Sequence, residues 1–342
     1  MNAEFRPVLR ALLDRHDLDA ETMAAAVGAI MDADWTPVQA GAFLTALASK
    51  GETVAEVVGA AEAMRARSLH VEHELDEVFD TCGTGGDGAH TFNISTAVGF
   101  VVAGCGVPVA KHGNRAASSR CGSADVLEAS GVSIDASPEV AAAALQRDGF
   151  AFLFAQRYHP AMKEVGPVRR DLGVRTVFNL LGPLANPARA TRQVIGVAVA
   201  GHLELMGEAL AGLGARAGAI VRAASGIDEV AGDAPTSVHH FDGNGVRRYE
   251  IEPADFGIRA TAADIAGGEP ADNARALRDV LGGERSPRAD VIALNAALAL
   301  VVAERAGTLA EGLDLARASL RDGAALAVFE AARATGREKE RS

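Results

Sequence analysis

The stretch from Asp80 to Gly131 constrains the fold more than any other part of the chain. It reads DTCGTGGDGAHTFNISTAVGFVVAGCGVPVAKHGNRAASSRCGSADVLEASG. A short apolar run, Val78-Phe79, enters a glycine cluster, Gly83-Thr84-Gly85-Gly86-Asp87-Gly88. Asn93-Ile94-Ser95-Thr96 follows, then an apolar helix-like run from near Ser95 to Gly104 or Gly106. A second strand-like run, Val107 to Ala110, leads into Lys111-His112-Gly113-Asn114-Arg115. Strand, glycine turn, helix and strand in this order predict parallel strands joined by a helix. The turn would offer bare backbone N–H groups, hydroxyls and a lysine at close range, which is the chemistry of a phosphate cradle.

The alternation continues downstream. Ser123 is placed to cap a helix through Ser130, and Ser137-Pro138 opens another through about Asp148. Gly149 to Phe154, Gln193 to Ala200 and Ala217 to Val221 read as strands, and His159 to Gly173 and His202 to Leu213 as helices. Gly182 to Pro187 reads as a loop. Val238 to Asp242, Gly243-Asn244-Gly245 and Val246 to Ile251 form a hairpin pattern, with His239-His240 expected on its surface. The tail is expected to be helical from Asp264. Residues 1 to about 70 are helical throughout, with capping boxes at Thr36-Gln39, behind Pro37, and at Thr53-Glu56; Trp35 reads as packing. The fold class is α/β: a small all-helical domain plus a larger domain with a mostly parallel central sheet flanked by helices.

Charge narrows the ligand. A net charge of −12 over 342 residues argues against a general nucleic-acid or anionic-membrane binder. Attraction for a phosphate must then be local, and cations do cluster: Lys111, Arg115 and Arg120, then Lys163, Arg169, Arg170 and Arg175. Cys82, Cys105 and Cys121 have no metal-ligand spacing and read as reduced thiols of a cytoplasmic protein. The charged opening from Met1 to Arg10 does not read as a signal peptide, and the uncharged Gly88 to Ala110 fits a buried α/β unit better than a membrane span.

GTGGDG formally matches the dinucleotide pattern G-x-G-x-x-G, but its context does not. That fold needs an acid about 20 residues on, at the end of the second strand, to hold ribose hydroxyls. Here the strand ends in Lys111-His112, and the next acid after Asp87 is Asp125. No Gly-Lys-Ser/Thr closes the loop, so it is not a P-loop either. Asn93, Ser95 and Thr96 supply an amide and two hydroxyls at a helix start, more than a cap requires. Lys111 to Ser119 adds a lysine, an arginine, an asparagine and two serines with only small spacers. Asp228-Glu229 leaves another predicted strand in the same sense; beside a phosphate site such a pair is a candidate Mg²⁺ site, and otherwise it is solvated charge. His112 borders the cradle.

The motifs GTGGDG, TFNIST, KHGNR..SS, GSADVLE, HPAMK..GPVRR.LG.RT.FN.LGPL.NP and GIDE occur in this order between Gly83 and Glu229. Together they resemble the anthranilate phosphoribosyltransferase family of tryptophan biosynthesis, from about Arg10 to Ala332. The resemblance implies a helical domain at 1–73 with a returning segment at about 167–187. It implies an α/β domain at 74–166 and 188–335, a frayed tail at 336–342, and a homodimer. Gly83, Gly86, Asp87, Thr91, Asn93, Ser95 and Thr96 are then the first part of the phosphoribosyl-donor site. Lys111, His112, Gly113, Asn114, Arg115, Ala116, Ala117, Ser118, Ser119 and Ser123 complete it. Gly83, Asn114 and Arg169 match the anthranilate contacts, and Ser95, Asp228 and Glu229 the Mg²⁺ positions, with two ions expected. One departure is Arg222-Ala223-Ala224-Ser225, where relatives often carry His-Gly.

The implied reaction is anthranilate plus 5-phosphoribosyl 1-diphosphate (PRPP) giving N-(5-phosphoribosyl)anthranilate and diphosphate. No catalytic dyad is expected, because an aromatic amine is unprotonated at neutral pH and positioning with charge neutralisation suffices; Lys111 would stabilise the diphosphate. Two alternatives remain at this point. One is a pyrimidine-nucleoside phosphorylase of related architecture. The other is a non-catalytic nucleic-acid-binding relative, which should be basic and should lack acids such as Asp228 and Glu229.

Overall fold

The computed structural model describes residues 4–116 and 120–339. The chain opens with four helices, α1 Phe5–Leu13, α2 Ala20–Met31, α3 Pro37–Lys50 and α4 Val54–Ala66. Both expected capping boxes form: Thr36 Oγ1 accepts from Gln39 N, and Thr53 Oγ1 from Glu56 N. A cap of this kind stabilises a helix by about 1 kcal/mol. Glu56 does more than cap. It is wholly buried, and its carboxylate accepts from Leu18 N, Thr53 N and Lys50 Nζ, tying the segment before α2 and the end of α3 to the start of α4. Trp35 is buried edge-on between Phe5 and Phe43, the packing role expected of it.

The α/β part follows as β1 Phe79–Gly83, α5 Ile94–Gly104, β2 Val109–Gly113, α6 Ser123–Ala129, α7 Pro138–Asp148 and β3 Phe150–Phe154. The short α8 Ala155–Tyr158, then α9 Met162–Leu172 and α10 Phe178–Leu184, lead to β4 Arg192–Gly196. After α11 His202–Gly212 come β5 Ala217–Ala223 and the hairpin β6 Thr236–Asp242 and β7 Gly245–Ile251. Helices α12 Pro270–Leu281, α13 Pro287–Val302, α14 Leu309–Arg321 and α15 Ala324–Lys339 close the chain.

Among the described residues the strands form one sheet in the order β3-β2-β1-β4-β5-β6-β7. β3 through β5 pair in parallel; β6 and β7 add antiparallel. Chain order runs outward from β1 to β2 and β3 on one side, and through β4 and β5 on the other. The loop after β1 therefore leaves the sheet at a topological switch point, where open α/β sheets bind ligands.

Alternation along the strands sends side chains to opposite faces of the sheet. Val194, Ala219 and Val221 face a core shared with α5 and α12 to α15; Ile195 and Ile220 face the one shared with α1 to α4, α9, α10 and α11. In the first, Phe100 stacks on Phe150 at 4.2 Å and meets Phe329 edge-on at 5.2 Å, joining α5, β3 and α15. Truncating a buried phenylalanine of this kind costs about 3–5 kcal/mol. Among the described residues no helix is long and apolar enough to cross a membrane.

Four expectations are corrected. The strand expected at Val107 to Ala110 begins after Pro108, which has no N–H to give the ladder, and runs on to Gly113. Lys111 and His112 are therefore buried strand residues, not loop residues. Gly182 and Pro183 fall inside the last turn of α10 instead of opening a loop. The helical tail starts at Pro270, because residues 265–267 are drawn into backbone pairing with residues 90–92. His240 points inward from β6 and is 2% exposed, against Tyr249 and Arg247.

Candidate active site

The site is built at the carboxyl rim of the central strands. Gly85 and Gly86 both have positive φ, 65° and 76°, so the loop after β1 turns in a conformation that side chains resist. Asp228, on the loop after β5, packs directly against this turn. Its Oδ2 accepts from Gly85 N at 2.8 Å. A Cβ on Gly83 would lie 2.4 Å from the same oxygen, so glycine is what allows the carboxylate in. The neighbouring Glu229 accepts from Ser95 N at 3.2 Å, at the first turn of α5. Two loops and one helix start are thus joined by two carboxylates.

Lys111 comes up from β2 beneath the same place. It is 1% exposed, and its Nζ donates to Thr81 O at 2.6 Å and Ser95 Oγ at 3.2 Å. Burial pulls its pKa below the ordinary lysine range, against the attraction of Asp80. Asp80 is itself wholly buried on β1, bonded by His112 N at 3.2 Å and Asn186 Nδ2 at 2.8 Å. The sequence reading missed Asp80 because an acid entering a glycine loop looks like solvated charge.

The pKa values of Asp228 and Glu229 are both raised. Burial is the largest cause for each; Asp87 is next for Asp228, and Asp228 next for Glu229. Asp87 Oδ2 is buried and finds no hydrogen-bond donor among the described residues. An orphaned carboxylate oxygen beside two acids with raised pKa values suits a cation. The residues present therefore fit a divalent ion. No group of three or more His, Cys, Asp or Glu among the described residues forms a metal cage. A Mg²⁺ ion beside these acids would therefore need water and substrate oxygens to complete its shell.

The remaining predicted residues divide. Thr91 bridges to Ala266, Asn93 bonds Cys121 O and Asn273, and Thr96 is buried with no partner for its hydroxyl among the described residues. A Cβ on Gly113 would meet Ser123 Oγ at 2.2 Å, and that hydroxyl donates to Asn114 O at 3.2 Å. Arg115 does not present a bare charge: it donates to Asp125 at 2.9 Å and to Glu128 at 2.8 Å. The Asp125 carboxylate also accepts from Ala116 N and Gly122 N, both at 2.9 Å. Ala117, Ser118 and Ser119 lie outside the described residues. Of the other cations, Arg175 reaches Gly85 O at 3.3 Å, whereas Lys163 is exposed beside Glu164.

A cleft of about 290 Å³ opens next to the glycine loop, between the sheet rim and α9 and α10. Gly83, His112, Asn114 and Arg169 line it, with Phe178 and His159. Arg169 lies over the Phe178 ring at 5.9 Å and has no carboxylate partner among the described residues, and burial lowers its pKa. A half-buried guanidinium without a counter-ion is suited to an anionic ligand. His112 offers no free nitrogen: Nδ1 meets Gly182 O at 3.0 Å and Nε2 meets His159 Nε2 at 3.1 Å. It lines the cleft as a ring with both nitrogens engaged. His159 was part of a quoted motif but carried no separate signal. A wider apolar groove, about 740 Å³, lies elsewhere, between α1, α3 and α9, and holds none of this chemistry.

Comparison with known proteins gives the family. The model of the glycosyl transferase family, a/b domain, matches residues 75–326, and that of the family's helical bundle domain matches residues 6–68. The anthranilate phosphoribosyltransferase of Thermomicrobium roseum is 50% identical over 93% of this chain and 93% of its own. The crystal structure of the Thermus thermophilus anthranilate phosphoribosyltransferase superposes with a TM-score of 0.92 at 42% identity, covering 96% of this chain and 99% of that one. The Saccharomyces cerevisiae enzyme, solved in complex with PRPP and Mg, gives a TM-score of 0.90 at 28% identity, with 98% of each chain covered. With a rim of phosphate-binding character, an acidic pair and an arginine-lined cleft already in place, the chain belongs to this glycosyl transferase family and, within it, to the anthranilate phosphoribosyltransferases.

Proposed function

We propose that this site transfers the phosphoribosyl group of PRPP to the amine of anthranilate, releasing diphosphate, as the second step of tryptophan biosynthesis from chorismate. The observation that carries the reading is the knot at the rim. Lys111 bonds Ser95 Oγ, Glu229 bonds Ser95 N and Asp228 bonds Gly85 N, directly beside a cleft holding Arg169, which has no carboxylate partner among the described residues. Donor and acceptor would meet at Gly83, which lines the cleft and touches Asp228.

The donor's phosphates and ribose take the glycine turn from Gly83 to Asp87, the α5 start, the end of β2 at Lys111 to Gly113, and the residues that follow it up to Ser123. Lys111 sits below the turn and acts as a fixed positive charge, with no reorganisation needed as the diphosphate leaves. Arg169 holds the anthranilate carboxylate, and the ring lies against Phe178 and His112, so the amine faces the sugar carbon. Holding two reactants this way can remove on the order of 7–11 kcal/mol from the barrier. Asp228, Glu229 and Ser95 would hold Mg²⁺, two ions in this reading, which supplies charge neutralisation for the diphosphate.

The same reading divides the chain into a helical unit, 1–73 with a segment at about 167–187, and an α/β unit made of the rest. It places the protein in the cytoplasm. It pairs two copies through the apolar groove on α1, α3 and α9, where Leu13 is 64% and Val38 83% exposed. The direct test is loss of anthranilate fluorescence on addition of PRPP and Mg²⁺, and its arrest by a chelator. Steady fluorescence with purified protein would refute the assignment, and thymidine phosphorolysis in its place would move the chain to the phosphorylases.

A further inference from the structure

Asn93 stands at the N-cap of α5, yet its side chain makes no bond to its own helix. An asparagine there ordinarily accepts from the second or third helical N–H. Here the carboxamide is turned away. Its Oδ1 accepts from Asn273 Nδ2 at 2.9 Å, and its Nδ2 donates to the Cys121 carbonyl at 3.1 Å.

Backbone groups fix both ends of this chain of bonds. Gly268 N–H donates to Asn273 Oδ1 at 2.7 Å, so it is the Nδ2 of Asn273 that faces Asn93. The Cys121 carbonyl can only accept, so it is the Nδ2 of Asn93 that faces Cys121. Neither amide can flip without opposing two donors or two acceptors.

Asn273 sits in the first turn of α12 and is 3% exposed. The segment before it is clamped to the residues entering α5: Phe92 N donates to Ile265 O at 2.8 Å and Gly267 N to His90 O at 2.9 Å. A Cβ on Gly267 would lie 2.7 Å from Thr91 O, so the approach depends on glycine. The consequence falls on the α5 start. Ile94 N bonds Phe92 O and Ser95 N bonds the Glu229 carboxylate, but Asn93 gives no cap: Thr96, 1% exposed, keeps a hydroxyl with no partner among the described residues, and one hydrogen of Asn93 Nδ2 has no partner among them either.

We propose that Asn273 is a positioning residue for the donor site: by holding the Asn93 carboxamide away from α5, it keeps the helix start open to phosphate or ribose oxygens. The inference rests on the reading of the rim as the PRPP site. Without Asn273, Asn93 rotates, caps its own helix and closes the opening. The stability of the helix is kept while donor affinity is lost, which is the reverse of what a purely structural asparagine would do.

The test uses full-length Asn273→Leu and Asn273→Ser with Mg²⁺. The KM for PRPP should rise about tenfold, with kcat and the anthranilate KM within about twofold of wild type. The melting temperature should hold or rise, and pyrophosphate should bind about tenfold more weakly by calorimetry. In an Asn93→Ala background the Asn273 changes should add nothing, since no carboxamide is left to position. Unchanged PRPP KM and pyrophosphate affinity in both variants would overturn the role, as would a lowered melting temperature with both KM values unmoved. Should the leucine variant not fold, the serine variant carries the reading. Should wild type not consume anthranilate, the functional assignment fails, while the pyrophosphate measurement still decides the role of Asn273.

Discussion

Gly83 and Asp228 are packed so closely that a methyl group on the first would lie 2.4 Å from Oδ2 of the second and 3.0 Å from its Cγ. The opposite side is as tight: a Cβ on Gly196 would overlap the Asp228 carbonyl. The acid is held by the absence of side chains on two neighbouring strands. Gly83→Ala should therefore expel the carboxylate and break its bond to Gly85 N. Activity should fall about 100-fold, the scale of a misplacement near 1 Å, with the fold intact. Steady-state kinetics beside a thermal melt check this; full activity in Gly83→Ala would show that Asp228 is not needed where it stands. Asp228→Asn keeps the shape and removes the charge, so it should shift the Mg²⁺ titration without moving Gly85.

Arg169 faces the cleft with a ring beneath it and, among the described residues, no carboxylate beside it. Its charge is therefore available to a ligand. Arg169→Ala should raise the anthranilate KM by at least about tenfold, and the PRPP KM by no more than about twofold. A comparable rise in both would place the arginine in the donor site instead.

The order of strands and helices was legible because glycine turns, capping residues and apolar runs are local signals. Thr36, Thr53 and Ser137 accept the cap bonds that their spacing implied. The rim was legible through motifs at Gly83, Ser95 and Asp228. Direction and burial were not. Lys111 looked like a loop cation, but Pro108 shifts the strand so that the lysine lies under the loop. Arg115 is expected in the donor site, and the two acids on α6, ten and thirteen residues on, that take its guanidinium here carry no signal of that pairing in the sequence. His240 looked exposed because its neighbour His239 obscures the alternation. Asn273, 180 residues from Asn93, has no signal at all in one sequence, since only the fold brings them together.

His112 and His159 give the protein an acid sensitivity of defined sign. Burial holds His112 at about 4 and His159 at about 3, the latter also through the neighbouring ring, against 6.5 for an ordinary histidine. The folded protein thus refuses protons that the unfolded chain accepts. Their contribution to stability is complete above about pH 6.5 and is lost as pH falls toward the folded values, by at most about 1.4 kcal/mol per pH unit for each ring. Asp80, Asp228 and Glu229, whose pKa values are raised, act in the opposite sense. The readout is therefore a comparison: urea melts at pH 7.5 and 5 for wild type and His159→Gln. The variant should lose less stability between the two pH values. Equal losses would mean that the ring pair is protonated in the native state.

The apolar groove on α1, α3 and α9 leaves Val38 83% and Leu13 64% exposed and shares no lining residue with the cleft. Exposed apolar surface of this extent is costly in water unless something covers it. A second copy offers the same surface, and a two-fold interface needs only one such patch. Val38→Glu puts a charge in the middle of that contact, where desolvation would cost several kcal/mol in a dimer and nothing in a monomer. Light scattering should therefore report twice the 35.1 kDa chain for wild type and a single chain for the variant at micromolar concentration. Because Val38 lies outside the cleft, any catalysis lost by the variant would have to come from separation of the two copies. A wild type that scatters as one chain would leave the groove to another occupant.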